Sequence, residues 1–162
     1  MVSLFSTCYA FTWVLCAFSG ALPGEDAYLE ARAFERVAKY SDALAAHEKC
    51  VEAGGPLAPY ALMGVARCRS RAGGRARAIQ DYAALLKAHP DGPWVGMALA
   101  EMAESLRLEK RFEEAADAYL RILEKPLPSY WRDRYRWLAV KCLIEDSSTK
   151  ARAYPFCRAL CA

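Results

Sequence analysis

One apolar pattern occurs three times in the chain, and each copy is closed by a proline. The copies are SDALAAHEKCVEAGGP (41–56), RARAIQDYAALLKAHP (75–90) and RFEEAADAYLRILEKP (111–126). In the third copy the apolar residues recur at steps of three and four, at Phe112, Ala115, Ala116, Tyr119, Leu120, Ile122 and Leu123. This spacing places them on one face of a helix, so each copy predicts a short amphipathic helix.

Alanines at equivalent positions set the period of the pattern. They stand at Ala43, Ala78, Ala115 and Ala151, separated by 35, 37 and 36 residues. Twelve residues before each of them, inside another helical pattern, stands a further alanine, at Ala31, Ala66, Ala103 and Ala139. Small residues at both places let two helices approach closely, so each unit is predicted to be a helical hairpin.

Turn-forming residues separate the helical patterns, and no alternating run long enough for a strand occurs. The breakers are Gly54-Gly55-Pro56, Gly73-Gly74, Pro90-Asp91-Gly92-Pro93 and Pro126-Leu127-Pro128. We therefore expect an all-α fold over residues 25–162: an array of antiparallel helical hairpins, three clear and a degraded fourth. The fourth is degraded because Pro155 would interrupt the interior of its last helix.

The chain begins with a stretch that has no charged side chain before Glu25. Ser19-Gly20-Ala21 is typical of a signal-peptidase site, so residues 1–21 are predicted to be a cleaved signal peptide and the protein periplasmic or secreted in a bacterium. The leader lacks the usual basic start, which leaves open an uncleaved anchor, a mis-assigned start or a buried helix. Once the leader is cleaved, no stable membrane span is expected.

Composition excludes several classes of function. The 162 residues suffice for one domain with a core, and a net charge of +3 is too small to indicate a nucleic-acid partner. Seven cysteines of irregular spacing predict buried thiols rather than a disulfide framework. Cys157 and Cys161 could hold half a metal site, but both histidines lie far away in sequence. No phosphate loop, nucleophile elbow or metal motif is present, so no catalytic residue, cofactor or metal is predicted.

The small–aromatic–proline layout over residues 25–126 resembles tetratricopeptide repeats, whose period is near 34 residues. This resemblance implies that the hairpins stack into a right-handed superhelix. His47 and Pro155 depart from it, because they stand where a bulky aromatic is usual, and so does Arg69 in the second unit.

A narrower resemblance is carried by PLAPYALMGVARC, HPDGPWVGMALAEMAESL and EKPLPSYWRDRYRWLAV. These segments are similar to the non-catalytic superhelix of soluble lytic murein transglycosylases. The enzymes of that family carry a Glu-Ser motif followed by Gly-Leu-Met-Gln. Here Glu104-Ser105 lies inside a repeat helix and no such stretch follows, so it is interpreted as coincidence.

Arginines cluster where the first helix of each hairpin would line a concave face. Counting from the first-helix alanines predicts a partner-binding set of Tyr28, Arg32, Tyr60, Met63, Arg67, Arg71, Arg107 and Arg136. Guanidinium groups suit carboxylates, so an acidic peptide or an anionic glycan is the expected ligand. The alternative is a solubilising surface with cations at helix C-termini. Arg75 and Arg77, beyond the Gly73-Gly74 turn, are expected outside the groove.

Two functions follow as expectations. The first is a non-enzymatic scaffold of the bacterial cell envelope that binds a protein or peptide along its concave face, without nucleic acid. The alternative is the accessory helical arm of a soluble lytic murein transglycosylase, which acts on peptidoglycan.

Overall fold

The computed structural model describes residues 22–145 and 149–160, and these form eight helices without a strand. The helices are α1 (Glu25–Arg36), α2 (Tyr40–Ala53), α3 (Ala58–Arg71), α4 (Arg75–Ala88), α5 (Val95–Leu108), α6 (Phe112–Leu123), α7 (Ser129–Glu145) and α8 (Lys150–Leu160). The predicted all-α class is confirmed. Residues 1–21, which carry the signal-peptide prediction, and Cys161 lie outside the described residues.

The helices pack in sequence order as four hairpins. Each helix lies against the next one, and first helices of neighbouring hairpins also touch, α1 against α3 and α3 against α5. One core runs through the array from Met63 to Ala153. Each hairpin thus buries part of its apolar surface against its neighbour, as expected for stacked repeats. Within the described residues, no helix has the length and apolar character needed to cross a bilayer.

The two alanine series lie at the helix contacts. Ala31, Ala66, Ala103 and Ala139 in the first helices are fully buried, and so are Ala43, Ala78 and Ala115 in the second helices. A larger side chain at any of these seven places would push paired helices apart. The predicted register of the first three hairpins is confirmed.

In the fourth hairpin the predicted alanine is wrong by two positions. Ala151 is exposed, whereas Ala153 is 3% exposed and packs in the core. Helix α7 ends six residues after Ala139, whereas α1, α3 and α5 end five residues after their alanines. Four residues, not three, then separate it from α8. These two extra residues shift the register, so that the buried alanine is again the fourth residue of its helix.

The same shift changes which residue replaces the usual aromatic. Four positions after the buried alanine stand His47, Tyr82 and Tyr119 in the first three hairpins, and Cys157 in the fourth. Pro155 is exposed and lies inside α8, which continues to Leu160, so the predicted interruption of this helix is wrong.

The first three hairpins share one turn conformation. The second of the three residues between the helices has a positive φ: 56° at Ala38, 95° at Gly73 and 61° at Lys110. The N–H of the residue that follows each of them bonds back across the turn to a carbonyl in the last helical turn, at Phe34, Arg69 and Leu106. A left-handed residue closes all three hairpins, although only one of them carries the glycine that this conformation favours.

Candidate functional site

A cleft of about 730 Å³ lies across the first helices α3, α5 and α7. Its lining comes mainly from these helices, with contributions from α4, α6 and the preceding loops, and includes Arg67, Ser70, Arg71, Arg75, Tyr82, Met97, Ala100, Glu101, Glu104, Leu108, Leu127, Trp131 and Tyr135. Helix α5 contributes more of these residues than α3 or α7. The cleft is named below the α3–α5–α7 cleft.

One side of the cleft is basic. The Nε atom of Arg67 lies 3.5 Å from Oε1 of Glu35 and 3.6 Å from Oε2 of Glu101. Neither contact is a hydrogen bond, and this Nε and that of Arg75 are buried without a hydrogen-bond partner among the described residues. Arg71 is exposed, and no carboxylate described in the structure lies within ion-pair distance of it. The basic side therefore offers the exposed guanidinium of Arg71 to a ligand, with Arg67 and Arg75 in the same lining.

The α7 side of the cleft is aromatic. Trp131 is 44% exposed, and its ring stacks on that of Tyr135 with centroids 6.1 Å apart. Met97 and Leu108 of α5 are also about half exposed, at 48% and 46%. These side chains give the cleft an apolar surface that water covers in the isolated protein.

The carboxylates of α5 are already engaged by protein groups. The Tyr82 hydroxyl donates to Oε2 of Glu101 at 2.7 Å. Arg107 donates two hydrogen bonds to Glu104, at 2.9 and 2.6 Å. These bonds outweigh partial burial and lower the pKa of Glu104. A general acid needs a carboxyl that keeps its proton near neutral pH, which requires a raised pKa. The pKa of Glu104 is shifted in the opposite direction.

The structure brings together only part of the predicted binding set. Arg67 and Arg71 line the cleft, and Arg107 lies at Glu104 beside it. Arg75, expected outside the groove, is part of the lining. Met63 is 2% exposed and belongs to the core. It precedes Ala66 by three residues, and this spacing places both side chains on the same, inward face of α3.

The other predicted residues make separate contacts away from the cleft lining. The ring of Tyr28 meets that of His47 edge-on, with the ring centroids 5.7 Å apart. Tyr60 meets Trp94 in the same way, with a centroid distance of 5.2 Å. Arg32 pairs with Glu35. Arg136 donates to Asp133 at 3.3 Å. These four residues are therefore not part of the cleft lining.

Arg69, which replaces an expected aromatic, joins neighbouring hairpins. Its guanidinium donates to Asp81 at 2.7 Å and to Glu48 at 3.0 Å. Hydrogen bonding to Asp81 raises the pKa of Arg69 above its usual value. The cation on α3 thus links α4 of its own hairpin to α2 of the preceding one.

A cluster of polar side chains lies where α1, α2 and α3 meet. This contact is named the first junction. Oε1 of Glu35 is 3.1 Å from Nε2 of His47 and 3.7 Å from Sγ of Cys68. His47 is fully buried and Cys68 is 1% exposed. No residue pattern in the sequence identified this group, because its members are 12 and 21 residues apart and belong to three helices.

Electrostatics at the first junction follow from burial and from two arginines. Burial favours a protonated Glu35, but the hydrogen bond from His47 and the charges of Arg67 and Arg32 outweigh it and lower the pKa of that carboxyl. Burial, with the nearby Glu35, raises the pKa of the Cys68 thiol to about 12. The first junction thus favours a charged carboxyl at Glu35 beside a neutral thiol at Cys68.

A scan against models of known protein families and a search of curated proteins each found no match to this chain.

Proposed function

We propose that the protein is a non-enzymatic binding module that holds an acidic peptide segment of a partner protein in the α3–α5–α7 cleft. The observation that carries the proposal is the presence, in one cleft, of a basic side with the exposed Arg71 and of an exposed aromatic side with Trp131. The expected leader supports the bacterial cell envelope as the location of this binding.

The arginine donors favour a carboxylate ligand on energetic grounds. Arg71 is exposed in the cleft, so a ligand can reach its guanidinium. The Nε atoms of Arg67 and Arg75 are buried, and these two arginines contribute positive charge to the same side rather than accessible Nε donors. A carboxylate that pairs with Arg71 gains charge-assisted hydrogen bonds.

The aromatic side adds selectivity for the residue next to the carboxylate. Burial of apolar surface contributes about 25 cal/mol per Å². Trp131 and Met97 are each nearly half exposed and therefore have surface left to bury. A peptide in which an acidic residue is followed by an apolar one fits both sides, whereas a uniformly acidic polymer uses only the arginines.

The accessory arm of a lytic transglycosylase remains as a second proposal. It is favoured by Trp131, because an exposed aromatic ring beside arginines also suits an anionic glycan such as peptidoglycan. The two proposals share the cleft and differ in the ligand.

Binding of fluorescent peptides to the full chain, followed by anisotropy, tests the proposal. An acidic–apolar peptide should bind, its amide counterpart with Asn and Gln should not, and affinity should fall with salt. Arg71→Glu should weaken binding roughly 10- to 100-fold, the loss expected for a charge-assisted hydrogen bond. Trp131→Ala should weaken it for acidic–apolar peptides more than for uniformly acidic ones.

Arg77→Glu is the matched control, since Arg77 is exposed on α4 outside the cleft lining and its reversal changes net charge equally. Equal losses in the two reversals would show that the arginines act only as a general positive surface, and would overturn the proposal. Binding of soluble peptidoglycan fragments in place of all peptides would favour the accessory-arm proposal.

A further inference from the structure

The first junction brings three different metal-ligand side chains to one point. The carboxylate of Glu35, an imidazole nitrogen of His47 and the thiol of Cys68 all lie within 4.8 Å of one another. Zn²⁺ binds oxygen, nitrogen and sulfur donors at about 2.0–2.3 Å in tetrahedral sites, which places the donors roughly 3.3–3.8 Å apart. The separations of 3.1 and 3.7 Å from Oε1 of Glu35 are close to these values, and the third separation, between His47 and Cys68, is at most 4.8 Å, so binding needs a small side-chain adjustment.

The next hairpin provides an internal comparison. Positions equivalent to Glu35, His47 and Cys68 carry Ser70, Tyr82 and Ser105 at the contact of α3, α4 and α5, which we name the second junction. There the two serine hydroxyls bond to each other at 3.0 Å and the tyrosine bonds to Glu101. These hydroxyl and phenol groups are poor ligands for zinc. Helix packing at this position therefore does not require metal-ligand side chains. Of the two junctions, only the first carries them.

The imidazole of His47 is enclosed, and only one of its two nitrogens has a hydrogen-bond partner among the described residues. The side chain is fully buried, and its Nδ1 atom has no hydrogen-bond partner among the described residues. Gly64 clears the space for the ring, because a Cβ there would lie 2.3 Å from Nε2. The ring is thus held with Nε2 towards the Glu35 carboxylate, the orientation that a metal ligand needs, and Nδ1 would carry the ring proton when the ion is bound.

We propose that Glu35, His47 and Cys68 form a binding site for a zinc-like divalent cation, with three protein ligands and a fourth position for water. The Glu35 side chain is 11% exposed and gives the site its route to solvent. On binding, the thiol of Cys68 releases its proton to water and coordinates as the thiolate, while His47 binds as the neutral ring.

Two arginines face Glu35 and must be accommodated. Arg32 pairs with Oε2, and so leaves Oε1 to the ion. Arg67 lies 3.5 Å from Oε1 and has an alternative partner in Glu101 at 3.6 Å. A small movement of Arg67 towards Glu101 relieves its repulsion with the ion and keeps the guanidinium paired. The site is thus compatible with both cations.

Titration of the reduced full chain with Co²⁺, a spectroscopic substitute for Zn²⁺, tests the proposal. One equivalent should give the visible absorption of a tetrahedral ion and a thiolate-to-cobalt charge-transfer band, and Zn²⁺ should displace it. Zn²⁺ should also raise the melting temperature, since a ligand that binds only the folded state stabilises it.

Cys68→Ser, which introduces the residue of the second junction, and His47→Gln should remove both signals. Cys142→Ser, at another buried thiol, should keep them. The melting curve without metal shows whether each variant folds. A wild-type protein without the band, or a folded Cys68→Ser variant that retains it, would overturn the proposal.

Discussion

The first and second junctions occupy equivalent places in successive hairpins, yet their polar groups are arranged differently. In the first, Glu35 on α1 reaches His47 and Cys68, and Gly64 on α3 leaves room for the imidazole. In the second, the position of Gly64 is taken by Glu101, which accepts from the Tyr82 hydroxyl at 2.7 Å. The carboxylate thus comes from α1, which precedes α2, in the first junction. In the second junction it comes from α5, which follows α4.

This difference shows which positions of the hairpins are constant and which can vary. The alanines that set helix spacing are the same in both junctions and fully buried, at Ala31, Ala66, Ala78 and Ala103. The polar positions one helical turn away vary, because each cluster needs only to satisfy its own hydrogen bonds. Repeat packing is therefore compatible with different chemistry at each contact.

The largest effect is expected from Gly64→Ala. The new Cβ would lie 2.3 Å from Nε2 of a fully buried ring, so we expect a loss of about 3 kcal/mol, the upper end for overpacking. Gly96→Ala on α5 is the control, since a Cβ there meets nothing within 4 Å and alanine favours a helix by up to about 1 kcal/mol. Urea unfolding measures both.

Adding His47→Ala to Gly64→Ala should recover much of this loss, because it removes the group that the Cβ meets. Strictly additive effects of the two changes would show that the glycine is not there for the imidazole.

A smaller effect is expected from Tyr82→Phe. It removes a short hydrogen bond to the Glu101 carboxylate and should cost about 1–2 kcal/mol. Tyr119→Phe in the third hairpin should cost less than about 0.5 kcal/mol, because its hydroxyl is 3.5 Å from Glu104, at the limit of a hydrogen bond. Thermal melts of both variants check the order, and equal losses would contradict the assigned role of Glu101.

The smallest effects are expected at the hairpin turns. Lys110→Gly should stabilise the protein by about 0.5–1 kcal/mol, since it relieves a left-handed conformation at φ 61°. Gly73→Ala should destabilise it by about 1 kcal/mol at the equivalent turn. Denaturant midpoints compare the two, and changes of the same sign would show that the turns are not equivalent.

Much of the fold could be predicted because the alanine offset of twelve residues fixes helix, turn and helix together. The turns between Ala31 and Ala43 and between Ala103 and Ala115 carry no glycine, but their lengths are set by this offset. The prediction failed at Ala151, where a longer helix and a longer turn add two residues that no local pattern reveals. Hairpin register was thus predictable wherever the turn length was constant.

The cleft was predictable only on its basic side. Arg67 and Arg71 follow Ala66 by one and five residues, a spacing that correctly placed them together on α3. The aromatic side, with Trp131 and Tyr135, could not be predicted, because aromatic residues at helical spacing are equally compatible with a core and with a cleft. The first junction depends on contacts between three helices, and its one visible signal was the departure from an aromatic at His47.

Arg67 is a single cation placed between two carboxylates, one in the first junction and one in the cleft. An anion bound in the cleft, as proposed, would draw this guanidinium away from Glu35, which would then attract a cation more strongly. A cation bound at Glu35 would push the same guanidinium towards the cleft and strengthen anion binding there. By thermodynamic linkage the two effects are equal in free energy, so this one side chain would make the two binding events cooperative without any movement of the helices.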